Sequence, residues 1–197
     1  MIAGANIRYL QERIARNNDQ AAYKQLFTAF YSPLLQFARS FLKSKEQAEE
    51  VVSDVFVQIW EKRKRVDSIG NLKVYLFISV KNTALNYLTR DSRHRTADLA
   101  QQGAELKSMY VDPEQLMVTA EMVSRIQLAI ASLPPRCRLI FKLVKEDELK
   151  YREVAEILDL SVKTVEAQLA IALRKIAQSI QFDVRKSVLT TQSPPVK

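Results

Sequence analysis

The chain has 197 residues, 47% of them hydrophobic, and its 30 Lys and Arg against 22 Asp and Glu give a formal charge of +8. That length suffices for one ordinary domain or two small ones, and the hydrophobic fraction excludes wholesale disorder. A single Cys and a single His exclude a disulfide framework and an intrachain zinc cluster, while the positive balance favours an anionic partner without saying which.

The opening "MIAGANIRYLQERIARNNDQ" has no apolar core followed by a small-residue cleavage site. No run reaches the roughly 18 apolar residues that a membrane span needs, so no membrane insertion and a cytoplasmic location are expected. Glycines occur only at 4, 70 and 103, and alternating β-branched runs are few, which predicts a predominantly helical chain. From Ala21 to about Thr89 the pattern supports three or four helices, in "AAYKQLFTAFYSPLLQFARSFLK", "KEQAEEVVSDVFVQIWEKRKR" and "NLKVYLFISVKNTALNYLTR". Pro33 lies inside the first and should break or kink it.

Between Gln47 and Glu61, the residues Ala48, Val51, Val52, Val55, Phe56 and Ile59 form a buried stripe, with Glu50, Asp54 and Glu61 roughly opposite and Val57 among them. Acidic residues around an exposed apolar one repel a phosphate backbone and suit a protein partner; an ordinary solvated face fits the pattern as well. Trp60 is read as closing the core. Four consecutive basic residues follow, Lys62 to Arg65, which either supply salt-sensitive affinity for a nucleic-acid backbone or solubilise the surface. On the next helix Ser79, Asn82, Thr83, Asn86 and Arg90 lie along one side. Asparagines four apart can pair with base edges or phosphates, and Tyr75 and Tyr87 offer rings for an unpaired base; the same asparagines could instead bond neighbouring backbone.

Residues 91 to 110 are polar and lack a sustained apolar stripe, the composition of a linker with at most transient structure. A new helix is expected from Asp112 as cap and Pro113 at the first helical position, ending at Leu133-Pro134-Pro135. "RCRLIFKLVKEDE" follows, with Cys137 as a small buried group. In "YREVAEILDLSVKTVEAQLAIALRKI", the residues Val162, Val165, Leu169, Leu173 and Ile176 form one stripe, and Val154, Ala155, Ile157 and Leu158 supply the matching surface. Ser161 is placed to cap the second helix, and the whole has the pattern of a helix-turn-helix. The opposite side carries Lys163, Thr164, Ala167, Gln168, Ile171, Arg174 and Lys175. Lys163 and Thr164 would meet phosphates and base edges, Gln168 an adenine edge, and Arg174 and Lys175 phosphates. A solvated outer face on a helical bundle is the competing reading. "VLTTQSPPVK" reads as a short loose tail.

Four stretches, "AEEVVSDVFVQIWEKR", "NLKVYLFISVKNTALNYLTR", "LPPRCRLIFKL" and "YREVAEILDLSVKTVEAQLAIALRKI", occur in one order over residues 21 to 180. In these the chain resembles the extracytoplasmic-function sigma factors of the sigma-70 family, and within them is similar to the iron-uptake-type and Bacteroidetes group. The resemblance implies an all-α fold of two small helical domains joined by a flexible linker. A sigma region 2-like domain would span 1–90, the linker 91–112, a region 4-like helix-turn-helix domain 113–182 and a tail 183–197. It implies a protein that binds core RNA polymerase and directs promoter-specific initiation at the minus-ten and minus-thirty-five elements. Core polymerase, promoter DNA and an anti-sigma factor are the implied partners, with no catalytic residue, metal or cofactor.

Carried over by motif position, the resemblance implies polymerase clamp binding by Glu50, Ser53, Asp54, Val55, Phe56 and Val57. The minus-ten element would fall to Asn71, Lys73, Tyr75, Asn82, Asn86, Tyr87 and Arg90. The minus-thirty-five element would fall to Lys163, Thr164, Glu166, Ala167, Gln168, Ile171, Arg174 and Lys175. The chain departs from the family pattern at Ser53, where glutamine is usual, and at Ala167-Gln168, where a polar or basic pair is usual, which bears on the strength of upstream reading. It departs again at Asp159, in place of a turn glycine, although Asp is among the residues that reach the left-handed region most readily. The residues by themselves leave open a regulator that binds duplex DNA alone as a dimer, and a protein-binding adaptor without DNA activity. No constellation of catalytic side chains supports an enzyme.

Overall fold

A computed structural model describes residues 4–94 and 117–190, and every element among them is helical. These are α1 (Gly4–Asn17), α2 (Gln20–Ala38), α3 (Lys45–Glu61), a 3₁₀ helix (Arg63–Ser68), α4 (Leu72–His94), α5 (Met117–Ala131), α6 (Pro135–Lys145), α7 (Tyr151–Leu158) and α8 (Val162–Thr190). They divide into two compact units, residues 4–94 with 155–160 and residues 117–154 with 161–190.

In the first unit α2, α3 and α4 pack on one another, and α1 packs on α2 and the 3₁₀ helix. α1 was not expected from the sequence. It buries Ile7, Leu10 and Ile14 at helical spacing, but this narrow stripe is shared with a buried glutamine, Gln11. α2 begins at Asp19, whose Oδ1 accepts from the Ala22 N–H at 3.0 Å while its other oxygen accepts from Arg13 Nε at 2.8 Å. The Ala22 N–H, and after it the Arg13 guanidinium, holds the Asp19 carboxyl below its ordinary value. Pro33 does not break the helix: α2 continues to Ala38, burying Leu26, Phe30, Leu34 and Phe37 along one stripe. Proline forfeits one backbone hydrogen bond, and burial of that stripe on both sides of it holds the helix together. α3 is capped by Ser44, whose Oγ accepts from the Gln47 N–H at 3.3 Å. Phe27 meets Phe56 at 4.7 Å and Phe37 meets Phe77 at 5.0 Å between ring centroids. Half-buried Trp60 lies 4.9 Å from the Tyr23 ring, closing the core edge as expected.

In the second unit α5 and α6 pack on α8, around Ala129, Leu133, Cys137, Ala172 and Ile176 with Ile130 and Phe141 beside them. α6 starts with proline, as a first helical position tolerates. α8 buries Val165, Leu169, Ala172 and Ile176. Leu173, expected in this stripe, is exposed; it sits about 100° around the helix from Ala172, which takes its place. α4 extends through His94 and α8 through Thr190, so both run into segments expected to be linker and tail. The Asp112 cap, Pro113 and the remainder of the linker and tail lie outside the described residues. No helix among the described residues is long and apolar enough to cross a membrane.

Phe30 is essentially inaccessible, so Phe30→Ala should cost about 3–5 kcal/mol, read from urea unfolding. The lowered Asp19 carboxyl contributes stability above the ordinary carboxylate range, and that contribution is lost as pH falls through its lowered folded value. Asp19→Asn should therefore lower the urea midpoint near neutral pH, with the two proteins converging well below about pH 4.

Candidate nucleic-acid and partner interface

Rotation of α3 about its axis is set by the residues it buries, and that decides which of its side chains a partner can reach. Glu50, Ser53, Asp54 and Val57 are exposed, Val57 to 54%. Val55 and Phe56, expected in the same docking patch, are buried at 1% and 2%. Both belong to the stripe facing the core, and the Phe56 carbonyl accepts from the Tyr23 hydroxyl at 2.8 Å. They support the patch from beneath and cannot be part of its contact surface. Ser53 Oγ donates to the Glu49 carbonyl at 2.7 Å, so its hydroxyl is turned back onto its own helix.

α4 starts at an Asn71 cap, whose Oδ1 accepts from the Val74 N–H at 3.2 Å. Tyr75, Asn82, Asn86 and Arg90 are exposed, and Lys73 and Tyr87 are half-buried. A groove of about 490 Å³ lies between the two helices, lined by Glu50, Asp54 and Gln58 of α3 and by Thr83, Asn86, Tyr87 and Arg90 of α4. Residues expected to serve two different partners thus share one groove, with carboxylates on one wall and amide, phenol and guanidinium groups on the other. Tyr75 and Asn82 lie outside its lining.

A smaller depression of about 330 Å³ is lined by Gln20, Tyr23, Val57 and Trp60. Sequence reasoning placed only Val57 in a binding role; Gln20 and Tyr23 come from α2 and carry no signal in the α3 pattern. The Arg63 guanidinium stands 4.8 Å from the Trp60 ring and donates to the Trp60 carbonyl and to Asn18 Oδ1. Of the four-residue basic run, Arg63 is therefore folded inward, while Lys62, Lys64 and Arg65 are exposed.

The segment from α7 to α8 contains the turn that the sequence led us to expect. Asp159 has φ of 52°, the left-handed conformation that its side chain tolerates. Ser161 Oγ accepts from the Thr164 N–H at 3.0 Å and lies 2.8 Å from the Thr164 hydroxyl, so the cap forms and also engages the Thr164 side chain. Lys163, Glu166, Ala167, Ile171, Arg174 and Lys175 are exposed on α8. Gln168 departs from expectation: it is half-buried, and its Oε1 accepts from the Cys137 thiol at 2.8 Å. Its acceptor faces α6, which removes the paired adenine contact proposed for it. Among the described residues no group of three or more Cys, His, Asp and Glu could hold a metal ion.

These two exposed faces lie in segments that match known family models. Residues 26–94 match the family model for Sigma-70 region 2, and residues 124–176 match that for Sigma-70, region 4. The chain belongs to the sigma-70 family. The ECF RNA polymerase sigma-E factor of Escherichia coli (strain K12) is 26% identical over 185 residues, covering 90% of this chain and 95% of the relative. The ECF RNA polymerase sigma factor SigW of Bacillus subtilis (strain 168) is 24% identical over 161 residues, covering 78% and 86%. Among solved structures, CnrH in complex with the cytosolic domain of CnrY aligns with a TM-score of 0.52 at 23% identity, covering 90% of this chain and 99% of that one. The sigma factor RpoE in complex with the anti-sigma factor NepR, from Bartonella quintana, aligns with a TM-score of 0.54 at 21% identity, covering 82% and 98%. At these identities the structural likeness is one of fold. In this sigma-70 chain the α3–α4 groove falls within the region 2 match and the capped start of α8 within the region 4 match.

Ser161→Ala should remove the α8 cap at a cost of about 1 kcal/mol, measured by urea unfolding. Buried Cys137 should react with an aromatic disulfide reagent only as fast as the second unit opens, and at least tenfold faster once unfolded in urea.

Proposed function

We propose that the protein binds core RNA polymerase and directs it to promoters, region 2 capturing the opened minus-ten strand and region 4 reading the minus-thirty-five duplex. The observation that carries this reading is the pairing of both sigma-70 regions in one chain, each with an exposed polar face suited to nucleic acid. Asn82, Asn86 and Arg90 on α4, with Tyr75 and Tyr87 as stacking surfaces and Asn71 and Lys73 at its start, would address the unpaired strand. On α8, Lys163, Thr164 and Glu166 would reach base edges, Ala167 and Ile171 would meet thymine methyls, and Arg174 and Lys175 would contact phosphates. Glu50, Ser53, Asp54 and Val57 would dock on the polymerase clamp, an acidic rim around an exposed apolar residue being suited to protein and repelled by phosphate. The reading treats 1–90 and 113–182 as the working domains, with 91–112 as tether.

On this reading the protein makes and breaks no covalent bond. Unstacking a base costs a few kcal/mol, and stacking on an aromatic ring returns roughly 1–3 kcal/mol per base. Binding energy therefore suffices to hold a strand open, provided polymerase fixes the spacing of the two contacts and raises their effective concentration. The free protein should bind DNA weakly. The CnrY and NepR partners of the two structural neighbours support an anti-sigma factor as a regulatory partner, and the protein would act in the cytoplasm beside the polymerase.

Purified sigma-free core polymerase, with and without this protein, transcribing a randomised promoter library at fixed salt, tests the reading. Initiation from a defined sequence only when both are present is expected; binding to duplex DNA with no initiation would point instead to an autonomous regulator. Lys163→Ala should reduce use of the upstream element about tenfold while core affinity stays within twofold of the parent. A variant that loses core binding and keeps upstream recognition would overturn the assignment of Lys163.

A further inference from the structure

α1 precedes the region 2 match, which begins at residue 26, and no candidate site residue lies on it. It nevertheless carries Gln11, one of two buried polar or charged side chains among the described residues, exposed to only 2%. Gln11 Nε2 donates to the Val66 carbonyl at 2.7 Å and to the Ile69 carbonyl at 2.9 Å. One turn earlier on the same helix, Arg8 Nη1 donates to the Asp67 carbonyl.

These three carbonyls belong to the end of the 3₁₀ helix Arg63–Ser68 and the residue after it. The Val66 carbonyl also accepts from the Ile69 N–H at 3.2 Å, so Gln11 adds a second bond there, and at Ile69 it serves a carbonyl just past the helix end, where backbone partners run out. Both bonds come from one carboxamide, so the length of the Gln11 side chain, together with the Arg8 bond and the apolar packing of α1, fixes the separation between α1 and the chain at Val66 and Ile69. Two residues beyond Ile69 stands the Asn71 cap, and beyond it the first turn of α4 with Lys73 and Tyr75.

We propose that Gln11 is a positioning residue for capture of the unpaired promoter strand. It anchors the 66–69 segment to α1 and thereby holds the Asn71 cap and the first turn of α4 where they can grip the strand. Gln11 touches no nucleotide itself. The inference rests on the reading of α4 as the strand-binding helix.

The test uses the full chain bound to sigma-free core polymerase. One readout is affinity for core. The other is the ratio of affinities for a single-stranded oligonucleotide carrying the non-template minus-ten sequence returned by the promoter library and for its scrambled counterpart. Gln11→Leu keeps the volume and loses both donors; it should lower the ratio about tenfold, with core affinity within twofold of the parent. Gln11→Asn retains a carboxamide one methylene short and should lower the ratio about threefold, and it carries the test if Gln11→Leu does not fold. Leu10→Ala weakens the packing of α1 without removing the carboxamide, and should leave the ratio unchanged at a temperature where circular dichroism shows the protein folded. A ratio unaffected in both Gln11 variants while Asn86→Ala lowers it would overturn the proposal and leave the α4 reading standing. An equal loss in Leu10→Ala would also overturn it, by reducing the effect to loosening of α1. A ratio unmoved by Asn82→Ala and Asn86→Ala alike would remove the α4 reading, and the role of Gln11 with it.

Discussion

The burial of Phe56 is the constraint on which the partner-facing side of the first unit depends. Its ring lies 4.7 Å from Phe27 and meets Tyr23 edge-on at 6.4 Å, and its carbonyl accepts from the Tyr23 hydroxyl. A helix has one rotational freedom about its axis, and an aromatic side chain fixed in a packed core removes it. With α3 so fixed, Glu50, Asp54 and Val57 face outward, and the acidic wall of the α3–α4 groove stands opposite Asn86, Tyr87 and Arg90. The chemistry offered to a partner is set by apolar packing on the other side of the same helix.

The start of α8 is specified by different means. Little of it is decided by bulk; Asp159 takes the left-handed conformation just before it, and the Ser161 cap sets where the helix begins. Because the cap also holds the Thr164 hydroxyl, and because Cys137 engages Gln168, two polar side chains of the supposed reading face are partly committed to structure. The exposed remainder is a mixture of cations, one carboxylate and small or apolar groups. Such a face suits phosphate positioning and methyl contacts better than an array of paired amide contacts, consistent with dependence on a second site in the same chain.

Much of the architecture was legible in the sequence because helices announce their buried stripes by spacing. The stripe of α3, the helix containing the asparagines of α4 and the cap at Ser161 follow from local rules, as does the absence of membrane-length apolar runs, while the left-handed turn at Asp159 follows from the family resemblance. The four linked stretches that carry the family resemblance are likewise a property of residue order. The reading failed in two places. α1 carries Ile7, Leu10 and Ile14 at helical spacing, a sequence signal at least as regular as that of α3 that was passed over, and Pro33 is a local obstacle that neighbouring packing overrides.

What only the tertiary structure decided concerns side chains whose role depends on a residue far away in the chain. Gln11 finds its acceptors at Val66 and Ile69, and Gln168 its donor at Cys137; in sequence each is an ordinary polar residue. The groove likewise exists only because α3 and α4 pack side by side, bringing Glu50 and Asp54 to Asn86 and Arg90. Local order determines where helices begin, which face is apolar and what chemistry each carries. Long-range packing decides which polar groups are spent on the protein itself and which remain for a partner, since a buried donor or acceptor must be satisfied from wherever the fold brings a match.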